Sequence, residues 1–413
     1  MRTVLWIGLC VGALAAAVAG ARSLRARQDA QALTREATLA LRAPFERAPE
    51  LGRLPATRAL QLLERAIELH PSDEARALLA YAQALEELQK GRLDQATRAL
   101  ARAERALPHD AEVSVLAAAL ARARGRSPDA FAQVRNVLAH DPQHGRARVL
   151  ACDLALDADD PDAALALLEP LIRKHAKIGS LYGRRGLARE ALGQERAALA
   201  DFTRASELDG ALLEPYINRG RLLSKAGRAR DAEEAFAQAL DRSQDPDAWL
   251  GRGLARVAQG DLAGGRTDIE QARERAPAQP EPLLALADLD AREQDLSSAI
   301  TRYRAALVLT PSLAVAWLKL GNALTRDRQL NDARDAFQRA LVLDPGLGAA
   351  HNGLGAALMA LGQDDAAEQA LATAAALDKT DPNPLLNLAL LRTRHGDRRG
   401  AEDARAEAAL RAN

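Results

Sequence analysis

Residues 314–347 read AVAWLKLGNALTRDRQLNDARDAFQRALVLDPGL, and this stretch decides the fold. Trp317, Leu320, Gly321 and Leu324 are spaced to share one face of an α-helix. Ala333, Phe337, Ala340 and Leu341 share one face of a second helix, and Pro345 stops it. Neither helix has enough apolar surface to bury its face alone, so the hairpin they form must stack on neighbours.

The neighbours are written in the same pattern at a period of 34. Units start at Ala77, Ala111, Gly145, Gly179, Leu213, Pro246, Pro280, Ala314, Gly348 and Pro382, with a single spacing of 33 after Leu213. The eighth position is always small, from Ala84 and Cys152 to Gly186, Gly220, Gly253, Gly321 and Gly355. The twentieth is Ala except at Gly265. Large residues recur at the fourth position (Tyr182, Tyr216, Trp249, Trp317) and the twenty-fourth (Phe202, Phe236, Tyr303, Phe337). Small residues at 8 and 20 let two helices approach closely, and the residue at 24 fills the remaining gap. Gly holds the fifteenth position in seven of ten units, the place for a helix stop. The array occupies 77–413 and leaves no stretch long enough for another domain.

Composition agrees with a helical array. Of 413 residues, 48% are apolar but only 3% aromatic, so the apolar mass comes from Ala and Leu, strong helix formers. Equal numbers of basic and acidic side chains, 56 of each, give no electrostatic reason to expect nucleic acid. Two cysteines, Cys10 and Cys152, exclude a disulfide scaffold and a cysteine-based metal module. Cys152 fills the small-residue slot at position 8, which predicts a buried free thiol.

These residues resemble the tetratricopeptide repeat (TPR) family, matched in the quoted unit at Trp317, Leu320, Gly321, Leu324, Ala333, Phe337, Ala340 and Pro345. The resemblance implies an all-α, right-handed superhelical solenoid of about ten to eleven helix-turn-helix repeats, its first helices lining a concave groove that binds proteins or extended peptides. Residues 22–76 read as a linker helix and a degenerate first repeat. Its helices fall near Gln31–Leu41 and Thr57–Pro71, with Pro44, Pro49 and Pro55 between them.

Residues 1–21 read as a signal-anchor or signal peptide, because Val4–Gly20 carries no charge and is flanked by Arg2 and Arg22. An uncleaved N-terminal hydrophobic helix predicts a location in the membrane, a bacterial inner membrane by style. The small residues Ala17 and Ala19 leave export after cleavage as the alternative. Leu9 before Cys10 argues against a lipid-modified cysteine.

In the family, positions 2, 5, 6, 9, 12 and 13 face the groove. Here they give Arg184, Asn218, Arg221, Lys225, Lys319, Asn322 and Arg326, a basic stretch suited to the backbone or carboxylates of an extended peptide. Tyr81 is a further contact candidate at such a position. The pair His140 and His144 is split by Asp141-Pro142 and so lacks helical register for a metal, and His351 takes the place of a position-4 aromatic. No catalytic constellation, cofactor site, metal site or nucleic-acid motif is present in the repeats.

The expected function is a non-catalytic protein-interaction scaffold, membrane-tethered or exported, that assembles or regulates an envelope complex. The alternative is an accessory, substrate-recruiting arm of a glycosyltransferase-like or lipopolysaccharide-regulating system. Regulators of the latter kind end in a cysteine-rich metal module, whereas Ala401–Asn413 has no cysteine.

Overall fold

The computed structural model describes residues 2–412, with side chains from residue 19 onward. Among the described residues every regular element is helical. The chain divides into two compact units, Met1–Asn218 and Arg219–Asn413. The first contains the helix pairs α1 (Arg2–Leu41) with α2 (Ala56–Leu69), α3 (Asp73–Gln89) with α4 (Leu93–Ala106), and α5 (Ala111–Ala123) with α6 (Ser127–His140). It continues with α7 (Gly145–Asp157) and α8 (Pro161–Lys174), then α9 (Gly179–Ala191) and α10 (Glu195–Leu208). The boundary falls within α11 (Glu214–Lys225).

The second unit holds α12 (Ala229–Leu240), α13 (Pro246–Ala258) with α14 (Leu262–Arg275), and α15 (Glu281–Arg292) with α16 (Leu296–Leu309). After these come α17 (Ala314–Arg326) with α18 (Leu330–Leu343), α19 (Gly348–Ala360) with α20 (Asp364–Leu377), and α21 (Asn383–Arg394) with α22 (Arg398–Ala412). Within each unit, a second helix packs both on its own partner and on the first helix of the next pair, as α16 does on α15 and α17.

The expected location in a membrane is corrected. Among the described residues no helix is long and apolar enough to cross a bilayer. From Ala19 onward α1 carries Arg22, Arg25, Arg27, Asp29, Arg35 and Glu36, each strongly disfavoured in hydrocarbon. Its end instead packs as a hairpin helix, with Ala37 and Leu41 fully buried in one core with Ala59 and Leu63 of α2. Most of the stretch on which the anchor rested, 4–18, and Cys10 with it, lies outside the described side chains.

The close approach inside a pair is visible in what a methyl group would meet. A Cβ built on Gly186, Gly220 or Gly321 falls 2.6–2.8 Å from the ring of Phe202, Phe236 or Phe337 in the same pair. Gly253 and Gly355 stand likewise 2.7 and 2.5 Å from Ile269 and Leu371. In these five pairs glycine at position 8 is therefore a steric requirement of the residue at position 24. The ring also reaches the following pair, since a Cβ on Gly353 would lie 2.5 Å from Phe337. The position-20 alanines, among them Ala96, Ala198, Ala299 and Ala333, are completely buried. Cys152 is buried as the sequence predicts, and burial pushes its thiol up to about 12.

The position-4 rings of Tyr182, Trp249 and Trp317 are half-buried, whereas Tyr216 is buried, and the polar tips of Trp317 and Tyr182 tie down the preceding turn. Trp317 Nε1 donates to the Pro311 carbonyl (3.0 Å), and the Tyr182 hydroxyl donates to that of Ala176 (3.1 Å). His351 Nε2 lies 3.1 Å from the Pro345 carbonyl, so this histidine does occupy the aromatic's place.

Every first helix of the array ends on a left-handed residue. Gly91, Gly125, Gly193, Gly227, Gly260, Gly362 and Gly396 have φ of 70–93°. The next amide closes the terminus, as Arg92 N does on Glu87 O (2.8 Å). Where the glycine is missing the backbone conformation persists, with Asp159, Gln294 and Arg328 at φ 56, 69 and 63°. Exposed Arg328 thus carries the strain of a side chain in the left-handed region. Arg328→Gly is expected to stabilise the second unit by about 1 kcal/mol. A raised thermal midpoint checks this; an unchanged or lowered one contradicts it.

Candidate peptide-binding groove

In the first unit α3, α5, α7 and α9 also touch one another in succession, and in the second α17, α19 and α21 do. These first helices therefore line one face of their row.

In the first unit this face is covered by the chain itself. The connection between α1 and α2, residues 42–55, has one short 3-10 turn at Leu51–Arg53 and otherwise lies over the first helices as a strap. Arg42 pairs with Asp110 before α5. Arg146, 6% exposed, donates to the carbonyls of Ala43 and Ala48 and pairs with Glu112 at 2.5 Å. Phe45 lies against Gly145, where a Cβ would come within 2.6 Å of the ring, and meets the His175 ring edge-on at 5.0 Å. Gln89 donates to the carbonyls of Leu51 and Leu54, both at 3.0 Å, and Arg53 pairs with Asp209 at 2.7 Å.

The expected contact residues separate accordingly. Tyr81 is in the core at 3% exposure, its hydroxyl without a hydrogen-bond partner, and burial drives its phenol well above the usual range. Its position looks groove-facing by spacing, but α5 and the strap close over it. Arg184 is half-buried between Asp153 (2.5 Å) and Glu50 of the strap (2.7 Å). Burial opposes its charge, and the two carboxylates outweigh burial, so it stays firmly protonated. Burial would raise the Glu50 carboxyl, but Arg184 holds it below the ordinary carboxylate range. Asn218 is half-buried at the end of the first unit.

The other candidates lie in the second unit. Arg221 and Lys225 are exposed one turn apart on α11. Burial and Asp245 push the Asp247 carboxyl upward, and the charge of Arg221 offsets part of this. On α17, Lys319 pairs with Asp288 (2.6 Å), which also accepts the Tyr303 hydroxyl. Asn322 is exposed. Arg326 donates to the Ala291 carbonyl (3.0 Å) and the Gln294 side chain (2.7 Å).

Many other arginines are committed inside the hairpins. Asp201, almost fully buried, receives Arg185 (2.6 and 2.9 Å) and Arg189 (2.7 Å) from α9. Asp268 receives Arg252 (2.7 and 2.8 Å) and Arg256 (2.9 Å) from α13 in the same register. Arg185 and Arg252 lie over the position-4 rings of Tyr182 and Trp249, at 5.2 and 4.7 Å. In the α15–α16 pair the charges are exchanged, with Asp290 on the first helix gripping Arg302 on the second and Arg266 from α14. Sequence reasoning missed these clamps because it treated positions 7 and 11 as apolar. The signal was Arg-x3-Arg followed by Asp twelve residues on, in two units. The strap was missed too, although Phe45 was an aromatic outside the repeat positions.

Fold and packing define a helical-hairpin repeat protein. Sequence-family profiles agree. Two profiles described as "Tetratricopeptide repeat" match, one at 81–145 and 217–280 and the other at 121–183. A third, "Cilia and flagella-associated protein 70 C-terminal domain", matches at 262–412. The two tetratricopeptide-repeat profiles together match residues 81–183 and 217–280, so the chain carries tetratricopeptide repeats.

No curated protein sequence matches it. Among solved structures, the "APC/C hetero-tetramer Cut9-Hcn1" is similar over 82% of each chain, at 14% identity and a TM-score of 0.53, a likeness of fold. MamA is similar at 23% identity over 38% of this chain and 93% of its own, TM-score 0.37. YrrB, titled "a TPR protein with an unusual peptide-binding site", is similar at 18% identity over 44% and 95%, TM-score 0.36.

The clamps make a stability prediction. Removing a carboxylate that holds two part-buried guanidinium groups leaves uncompensated charge, so Asp268→Ala is expected to cost about 3 kcal/mol. Thermal unfolding followed by circular dichroism checks this; an unchanged midpoint contradicts it.

Proposed function

We propose that this protein is a non-catalytic scaffold for protein–protein interaction that helps assemble or regulate a complex, and that its second unit binds an extended acidic segment or C-terminus. TPR proteins serve as interaction scaffolds, which supports the general reading. The observation that carries the finer one is on α17. Lys319, Asn322 and Arg326 follow at spacings of three and four, on one helical face, with Asn322 and Arg326 exposed. An amide between two cations suits a peptide backbone flanked by carboxylates. Arg221 and Lys225 extend the same chemistry on α11. Asp288 already holds Lys319, so a ligand carboxylate has to compete with an internal partner. This favours acidic ligands over neutral ones and gives an affinity that falls with ionic strength.

The test is a chain carrying Arg221→Glu, Lys225→Glu, Lys319→Glu and Arg326→Glu. It is expected to keep its helicity and to lose at least tenfold in affinity for acidic C-terminal peptides selected on the wild-type chain. Undiminished binding by a folded variant contradicts the proposal.

A further inference from the structure

We propose that the face formed by α5, α7 and α9 is a second peptide-binding site, held shut in cis by Arg42–Glu50. In trans it takes an extended segment of another protein that carries an aromatic ring and, five residues on, a carboxylate. This goes beyond the reading of the second unit and is independent of it, since every residue concerned precedes Asn218.

The strap is far longer than its connection needs. Helix pairs are commonly joined by about two to eight residues, and α3 passes to α4 through Lys90–Arg92 alone. The surplus between Leu41 and Ala56 lies against α5, α7 and α9, held by Asp110, Arg146 and Arg184. Its main chain is read by a side chain: Arg146 donates to the carbonyls of Ala43 and Ala48. Two of its side chains fill built positions. The Phe45 ring occupies the space left by the missing Cβ of Gly145 and is edged by His175. The Glu50 carboxylate sits on Arg184, which Asp153 orients from α7. Glu46 adds a contact to His175 at 3.1 Å.

Both halves of the strap reach the core, through Ala48 and Leu54, but polar contacts are concentrated in the first. Leu54 is 2% exposed and belongs to the core formed by α1, α2 and α3, so the turn at Leu51–Leu54 is anchored. Arg42–Glu50 is held by ion pairs, carbonyl hydrogen bonds and the Phe45 ring, together with buried Pro49 and with Ala48, which at 3% exposure shares that core, and Pro44 and Pro49 keep it from adding regular structure. A segment of this kind can be exchanged for another that offers the same ring, carboxylate and carbonyls. The strap thereby specifies its competitor: Phe45 and Glu50 define the aromatic-x4-acid pattern.

A fluorescein-labelled nonapeptide with the sequence of Arg42–Glu50, titrated into the full chain, tests this. The Phe45→Ala/Glu50→Ala chain is expected to bind it at least tenfold more tightly than wild type does. Adding Arg184→Ala should abolish that binding, and a nonapeptide with both anchors replaced by Ala should not compete. A folded double variant that binds no better than wild type overturns the proposal. So does concentration-dependent dimerisation that the nonapeptide fails to inhibit, which would assign the strap to exchange between copies. If the double variant loses helicity, hydrogen exchange of the wild-type chain decides. Faster exchange in 42–50 than in α7 and α9 supports a displaceable strap, and exchange in step with them overturns it.

Discussion

The structure depends on how closely two helices of a hairpin can approach, and that distance is set where a glycine backbone meets a large side chain. Phe337 lies on Gly321 of its own pair and on Gly353 of the next, with no room for a methyl group at either place. Interiors are close-packed, so such a contact fixes the pair's separation within narrow limits. The same contact recurs as Gly186 with Phe202 and Gly220 with Phe236. Because each hairpin is stable only through its neighbours, a ring that touches two hairpins joins the unit term and the interface term of solenoid stability. The scarcity of aromatics follows, since most of the pattern asks for small or aliphatic residues and only positions 4 and 24 ask for bulk.

Polar groups are fitted around this apolar seam. Asp201 and Asp268 enter the interior only because two arginines accompany each of them, satisfying both carboxylate oxygens. The exchanged arrangement at Asp290 and Arg302 shows that the demand is for complementary charge across the pair, whichever helix carries which sign. These clamps tie up cations that composition counts as basic surface. Arg221, Lys225, Asn322 and Arg326 remain exposed, while Arg146 and Arg184 are engaged by the strap.

Much of the fold was legible because its rules are local and repeated. The glycines at position 15 announced left-handed helix ends, and the three units without one adopt the same conformation because the surrounding hairpins impose it. The small residues at position 8 announced close contact, and Cys152 was placed correctly by that rule alone. The site was less legible because it departs from the repeat. Tyr81 has groove-facing spacing, yet a segment thirty to forty residues earlier in sequence helps to bury it. Arg184 reads as a free cation until Glu50, 134 residues away, is brought to it. Periodicity predicts which face a residue takes, and it carries no information about an irregular segment that later covers that face. The apolar N-terminal run illustrates a different limit, because apolar length alone suggested an anchor that no described helix provides.

The most direct test of the central contact is a double-mutant cycle at Gly321 and Phe337, read by thermal and urea unfolding of the full chain. Gly321→Ala alone should destabilise by about 1–3 kcal/mol, because the added methyl overpacks the ring. In a Phe337→Ala background the same change should become neutral or stabilising, since the ring is gone and alanine favours a helix over glycine by about 1 kcal/mol. Equal destabilisation by Gly321→Ala in both backgrounds would contradict the account, for it would show that the glycine is not there to admit the ring.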